Sequence, residues 1–81
     1  MVTEESCVQE RDQVVVVEDL RNLSVRAGDI GTVVHVYPER QAYEVEFVSL
    51  TGKAIGVVTL AAGNIRAICE GEIAHARLLN G

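Results

Sequence analysis

The sequence is poor in the residues that give small domains extra stability. It contains no Trp, one Phe and two Tyr, so its core must be built from aliphatic side chains. Its two cysteines are too few for the dense disulfide framework of a small secreted module, which indicates reduced thiols in the cytosol. With 81 residues, the chain has room for one domain and one small core.

Basic residues are also scarce, since seven Lys and Arg face twelve Asp and Glu and give a formal net charge of −5. This balance opposes binding to phosphate backbones, which depends on cationic side chains, so a nucleic-acid role is disfavoured. It favours a basic protein partner through long-range electrostatic attraction, although an acidic surface also simply keeps a protein soluble.

No segment has the features of a targeting signal or a membrane span. Residues 1–6 lack the cationic and then apolar order of a signal peptide, and the apolar runs are too short to cross a bilayer. We therefore expect a cytoplasmic protein. Residues 1–11 are polar and acidic with no clear period, which predicts a flexible leader.

Five short apolar segments rich in β-branched residues, separated by turn signals, predict five strands. They cover residues 12–17, 30–37, 42–48, 54–60 and 65–68. The first carries four consecutive valines and is expected to be buried on both faces. The third alternates, so Tyr43, Val45 and Phe47 should share one face. Glu44 and Glu46 then project from the opposite, solvated face.

Glycine marks the main change of direction in the chain. Gly28 can adopt the positive φ of a tight turn, and Asp29 can hydrogen-bond the local backbone. Together with Gly31 they predict a structural turn that leads into the second strand. Gly56 predicts a bulge or a corner within the fourth strand.

The connections complete the predicted architecture. Residues 18–29 form a long first loop, which Leu20, Leu23 and Val25 should anchor to the core. A single 3₁₀ turn is expected before the last strand, which should close the sheet against the first. These features predict an all-β fold, a small five-stranded SH3-like barrel over residues 12–68.

Residues 69–81 form a short C-terminal tail with good helix formers but a poor apolar stripe. A helix is one candidate conformation, although a helix this short is marginal in water. Packing on the barrel, reaching a neighbouring subunit and fraying are the alternatives.

No pattern of catalytic or metal-binding residues is present. The four candidate ligands are Cys7, His35, Cys69 and His75, and none forms the closely spaced pair of a structural zinc site, so we expect no metal. His35 is expected to face outward from its strand. No nucleophile has a recognisable base or oxyanion donor near it, and no phosphate-binding loop follows the glycines. We therefore expect no catalytic residue, no cofactor and no enzymatic activity.

Acidic side chains are the candidate partner-binding residues. Glu44 and Glu46 project from the same side of one strand, and Glu18, Asp19 and Glu39 are candidate extensions of this acidic patch. The alternative interpretation is a solvated face that discourages aggregation.

From Asp12 to about Ile68 the sequence resembles the family of small bacterial proteins called domain of unknown function 4926. The matching segments are the valine run with residues 18–20, then 27–34, 37–38, 42–47, 52–53 and 57–60. More distantly it is similar to other SH3-like barrels, including the small photosystem stromal subunit, the barrel of the nitrile hydratase small subunit, and KOW modules. These relatives have unrelated activities, so the resemblance implies a fold but no activity.

The leading hypothesis is a non-enzymatic interaction module that binds another protein through its acidic outer face, its first loop or an exposed strand edge. A concrete version is an antitoxin-like or immunity-like partner of a basic protein such as a nuclease. One alternative is KOW-type binding of RNA or a ribonucleoprotein, which needs Arg21, Arg26, Arg40 and Lys53 on one face. Another is an accessory subunit of a larger enzyme. Homo-oligomerisation would stabilise so small a core.

Overall fold

The five apolar segments of the sequence form five antiparallel strands of one sheet in a computed structural model, which describes residues 8–79. The strands are β1 (Gln13–Val16), β2 (Ile30–Val36), β3 (Ala42–Val48), β4 (Ala54–Ala61) and β5 (Ile65–Ala67). Their hydrogen-bonded order is β4-β3-β2-β1-β5. The all-β prediction is confirmed.

The sheet is open between its two edge strands. β5 pairs with β1, as predicted, and Val16 lies opposite Ile65. Within the described residues, however, β4 and β5 share no ladder, so the expectation of a closed barrel is wrong. The reason is the short connection, because the 3₁₀ turn Ala62–Asn64 joins the end of β4 directly to a three-residue β5 that bonds to β1.

The core lies on one face of this sheet. The predicted alternation of β3 is confirmed, and the three consecutive β1 valines are all buried. The cluster consists of Val8, Val14, Val16, Val25, Val33, Tyr43, Val45, Phe47, Leu60 and Ile65. Val8 therefore packs in the core although the sequence placed it in a flexible leader. The Arg11 N–H also donates to the Val33 carbonyl oxygen at 2.6 Å, and residues 1–7 of that leader lie outside the described residues.

The first loop is anchored by two of the three predicted residues. Val25 is buried, and Leu20 packs partly buried against the core, joined to Val25 by a backbone hydrogen bond of 2.7 Å. Leu23 is 42% exposed, so the prediction for this residue is wrong. It ends the 3₁₀ turn Arg21–Leu23, whereas Leu20 and Val25 lie opposite each other in an isolated antiparallel bridge.

Gly28 and Asp29 form the predicted turn. Gly28 has a φ of 94°, and a carboxylate oxygen of Asp29 accepts the backbone N–H of Arg26 at 2.9 Å. Gly31 belongs to strand β2 rather than to the turn. It is buried against β3, where there is no space for a side chain.

Two irregularities interrupt the pairing of strands β2 to β4. Gly56 has a φ of 157° and pairs with Phe47, whereas the next pair is Val48 with Ala54, so the predicted bulge is confirmed. A second register shift in β2 lies between Val33 and His35. His35 is exposed, as predicted.

The tail contains no helix over residues 69–79, so helix is the wrong alternative. Gly71 has a φ of 91°, which interrupts any helix, and the Glu72 carboxylate accepts the backbone N–H of Cys69 at 2.6 Å. These contacts make a turn. The poor apolar stripe gives a helix nothing to bury, and Ile73 is 91% exposed.

The contacts of this turn give the Glu72 carboxyl an unusually low pKa. The Arg66 guanidinium donates two hydrogen bonds to this carboxylate, at 2.9 and 2.5 Å. These bonds, and then that of the Cys69 N–H, lower the pKa of Glu72 from 4.5 to about 2. Because the folded pKa is depressed, the stabilisation is complete above pH 4.5 and is lost as the pH falls through about 2. In a carboxyl NMR titration, Arg66→Gln should return the Glu72 pKa toward 4.5. An unchanged pKa in this variant would contradict the ion pair.

Candidate functional site

Three adjoining strands present an outer face opposite the core. Register places the side chains of β2, β3 and β4 in two rows across this face. One row is Thr32, Glu46 and Val57, and the other is His35, Glu44 and Thr59. We call these six residues the outer face. The strand pairing thus holds the two predicted glutamates side by side in the middle of it.

The outer face is acidic because its strands contain no cation to balance the glutamates. β2, β3 and β4 comprise seven, seven and eight residues, and none of them is Lys or Arg. Glu44 and Glu46 are both half-buried at the centre of the face, and Val57 is 54% exposed beside Glu46. A cationic group could approach both carboxylates without meeting a like charge on these three strands.

Hydroxyl groups hold the Glu44 carboxylate in place. It accepts hydrogen bonds from the Tyr37 hydroxyl and, at 2.9 Å, from the Thr59 hydroxyl. These two bonds lower the pKa of Glu44, and the bond to Glu44 raises the pKa of Tyr37. The His35 ring packs edge-on against Tyr37, with centroids 4.8 Å apart. Glu44 is therefore a fixed, ionised carboxylate, and the sequence did not show the residues that fix it.

A shallow depression of about 440 Å³ adjoins this cluster. It is lined by Tyr37, Pro38, Glu39, Gln41, Ala42 and Thr59. Glu39 lies in the turn Pro38–Arg40 and accepts a hydrogen bond from Gln41 at 3.2 Å. Three of the five predicted acidic residues, Glu39, Glu44 and Glu46, are thus grouped around β3.

The other two predicted acidic residues lie in the first loop. Glu18 accepts a hydrogen bond from the Asn64 side chain at 3.2 Å, and Asp19 accepts the backbone N–H of Ala27 at 2.9 Å. The predicted patch therefore divides into a β3 group and a first-loop group.

The first-loop group adjoins an ion pair that sequence reasoning missed. Arg77 in the tail donates from Nε and Nη2 to the two carboxylate oxygens of Asp29, each at 2.7 Å. Burial alone would raise the pKa of Asp29, but the hydrogen bonds from Arg77 and from the Arg26 N–H outweigh it and lower the pKa. Because 48 residues separate Asp29 from Arg77, no local pattern indicates the pair.

The sheet also has an exposed edge. β4 is the longest strand, contains no charged residue and is bonded only on its β3 side within the described residues. Half of the backbone N–H and C=O groups of such a strand point away from the sheet and can pair with another chain. Ile55 and Val57 are 43% and 54% exposed beside this edge.

Two of the four basic residues that the KOW alternative needs lie far apart. Arg40 and Lys53 lie in the turns at opposite ends of β3, whose seven residues span roughly 20 Å. Arg40 donates to the carbonyl oxygen of Val8, and Arg66 and Arg77 are paired with carboxylates.

Metal-ligating residues are not clustered in the part of the chain that the structure describes, where no three His, Cys, Asp or Glu side chains could hold an ion together. Cys69 and His75 are exposed in the tail, and Cys7 lies outside the described residues. Among residues 8–79, no helix has the length and apolar character needed to cross a membrane.

Comparison with known proteins identifies a family but no activity. Residues 10–67 match a family model described as "Domain of unknown function (DUF4926)". Searches of curated proteins and of solved structures gave no match.

Proposed function

The chain belongs to the DUF4926 family of domains of unknown function, and we propose that it is a non-enzymatic module that binds a basic protein through its outer face. The observation that carries this proposal is the pair Glu44 and Glu46 at the centre of three strands that contain no Lys or Arg. An antitoxin-like or immunity-like partner of a basic protein, such as a nuclease, is the concrete form of the proposal.

Electrostatics supports this assignment. The formal net charge of −5 attracts a basic partner over long range, and the two central carboxylates give it a docking point. Since Tyr37 and Thr59 already hold Glu44 in position, binding a cation there costs little side-chain entropy.

The exposed edge of β4 also favours binding of a partner at the outer face. A partner strand could pair with its free backbone groups while contacting Ile55 and Val57. Backbone pairing would supply affinity, and the adjacent glutamates would select a cationic sequence.

The alternatives receive less support. KOW-type RNA binding needs a shared basic surface, whereas Arg40 and Lys53 lie at opposite ends of β3. An accessory subunit of a larger enzyme would use the same kind of protein-binding surface, so the identity of the bound protein distinguishes it from an antitoxin-like partner.

Removal of the two carboxylates tests the proposal. Proteins retained by the immobilised wild-type chain from a lysate of its own organism would be purified and their dissociation constants measured. The Glu44→Gln/Glu46→Gln variant should bind such a partner about tenfold or more weakly, because it loses two charge-assisted contacts. Gln at position 44 can still accept the Tyr37 and Thr59 hydrogen bonds, so the fold should survive.

The matched control compares single substitutions. Glu46→Gln should weaken binding, whereas Glu70→Gln, which removes an exposed charge in the tail, should leave the dissociation constant unchanged. Equal binding by wild type and the double variant would refute the proposed surface. Saturable RNA binding at about 50 mM salt would favour the KOW alternative instead.

A further inference from the structure

One charged side chain makes the hydrogen bonds that join residues 73–79 to the rest of the described chain. Arg77 donates to both oxygens of Asp29 at 2.7 Å and to the Ser24 carbonyl oxygen at 3.2 Å. Between residues 73–79 and the remaining described residues, no backbone hydrogen bond is formed. Ile73 and Leu78 are 91% and 81% exposed. Leu79 is 53% exposed and lines the same depression as Arg77, so the attachment combines the guanidinium contact with partial burial of one leucine.

The first loop holds two carboxylates and a carbonyl oxygen around this guanidinium. We call Asp19, Ser24 and Asp29 the loop notch. Asp29 is fixed by the Arg26 N–H at 2.9 Å, and Asp19 by the Ala27 N–H at 2.9 Å. Each carboxylate thus has a contact with the loop backbone that does not depend on the tail, and Asp29 is held by Arg77 as well.

The geometry of the loop notch selects arginine over lysine. Two parallel hydrogen bonds from one planar group to one carboxylate require the forked donors of a guanidinium, which a lysine ammonium lacks. The side chains of Asp29 and Arg77 are 18% and 27% exposed, so the contact is shielded from much of the solvent. A depression of about 480 Å³ surrounds it, lined by Asp19, Ser24, Val25, Arg26, Arg77 and Leu79.

We propose that the loop notch is an arginine-binding site, which Arg77 occupies in cis, and that an arginine side chain of a basic protein partner takes its place and releases residues 73–79. The exchange replaces one guanidinium by another and breaks no strand pairing in the described part of the chain. The choice of partner rests on the proposed function, because a basic protein supplies the arginine.

The site can be tested without the natural partner. The probe is the capped heptapeptide Ile-Ala-His-Ala-Arg-Leu-Leu, which has the sequence of residues 73–79, added to the full-length Arg77→Ala chain. Amide NMR shifts at Ser24 and Asp29 report occupancy. We expect saturable binding to Arg77→Ala and at least tenfold weaker binding to wild type, where Arg77 competes. If Arg77→Ala does not fold, Arg77→Gln serves as a second variant whose loop notch lacks the guanidinium.

Two matched comparisons test the selectivity of the site. A peptide with Lys in place of its Arg should bind Arg77→Ala at least tenfold more weakly. The Asp29→Asn/Arg77→Ala chain should also bind the Arg peptide at least tenfold more weakly than the Arg77→Ala chain. Asn can still accept the Arg26 N–H, so the turn should be preserved.

Several results would overturn the inference. The first is the absence of saturable binding to a folded Arg77→Ala chain. The second is that this chain binds the Lys peptide as tightly as the Arg peptide. The third is that the Asp29→Asn/Arg77→Ala chain binds the Arg peptide as tightly as the Arg77→Ala chain does. A wild-type dimer that Arg77→Ala dissociates would instead assign the loop notch to contacts between copies. None of these results bears on Glu46, so failure here and failure of the outer-face proposal are distinguishable.

Discussion

Gly31→Ala is expected to lower the free energy of unfolding by roughly 3 kcal/mol, because it adds an atom where β2 and β3 are in closest contact. A Cβ at this position would collide with Val45 Cγ1 and lie 2.9 Å from both the Glu46 carbonyl oxygen and Phe47 Cε1. Strand β3 cannot move aside, since it is hydrogen-bonded to β2 on one side and to β4 on the other. A loss of this size approaches the whole stability expected for so small a core, about 3–5 kcal/mol.

Gly63→Ala is the matched control for this substitution. It changes the same residue type to the same side chain, but a Cβ at position 63 has no atom within 4 Å. Its effect should stay within about 0.5 kcal/mol. Urea denaturation followed by circular dichroism measures both variants. Equal midpoints for Gly31→Ala and Gly63→Ala would show that the close approach of β2 and β3 has been misjudged.

Leu60→Ala is expected to lower the free energy of unfolding by about 3–4 kcal/mol, because it removes buried apolar surface and leaves a cavity. Leu60 is 1% exposed and lies opposite Tyr43 in the β3–β4 ladder. It is among the largest fully buried side chains of the described chain. Since the total stability is of the same order, a large fraction of the variant should be unfolded at 25 °C.

Leu50→Ala controls for the loss of leucine itself. Leu50 is 87% exposed in the turn between β3 and β4, so its truncation should change stability by less than about 0.5 kcal/mol. The same urea titration serves for both variants. If Leu60→Ala proved as stable as Leu50→Ala, the placement of Leu60 in the core would be contradicted.

Local chemistry explains which parts of the fold were predictable from sequence. The alternation of residues 42–48 has the period of a half-buried strand, and the predicted bounds of β3 are those observed. The valines of β1 indicated a strand buried on both faces, and Gly56 indicated the bulge. Each of these signals lies within a few residues of the structure it predicts.

The features that sequence analysis missed depend on long-range packing. Gly31 appeared to belong to the turn at Gly28, but its role comes from Val45 and Phe47 on the next strand. The Arg77–Asp29 pair joins residues 48 positions apart. The pairing of β5 with β1 was predicted, but a list of strands does not show that β4 and β5 share no ladder, which leaves the sheet open.

In the candidate site, too, the features set by local sequence were predicted and the contacts between distant residues were missed. Glu44 and Glu46 were assigned to one strand face from their spacing, and the register of β3 places them there. The Tyr37 hydroxyl that holds Glu44 comes from the residue after β2, and the Thr59 hydroxyl comes from β4. Finding them required the pairing of three strands.

Amide hydrogen exchange of the chain with and without a purified basic partner tests the central claim most directly. If the outer face and the adjacent edge bind the partner, exchange should slow in β3 and β4, and the Glu44→Gln/Glu46→Gln variant should lose this protection at the same partner concentration. Protection confined to β5, or protection that is unchanged in the double variant, would contradict the account.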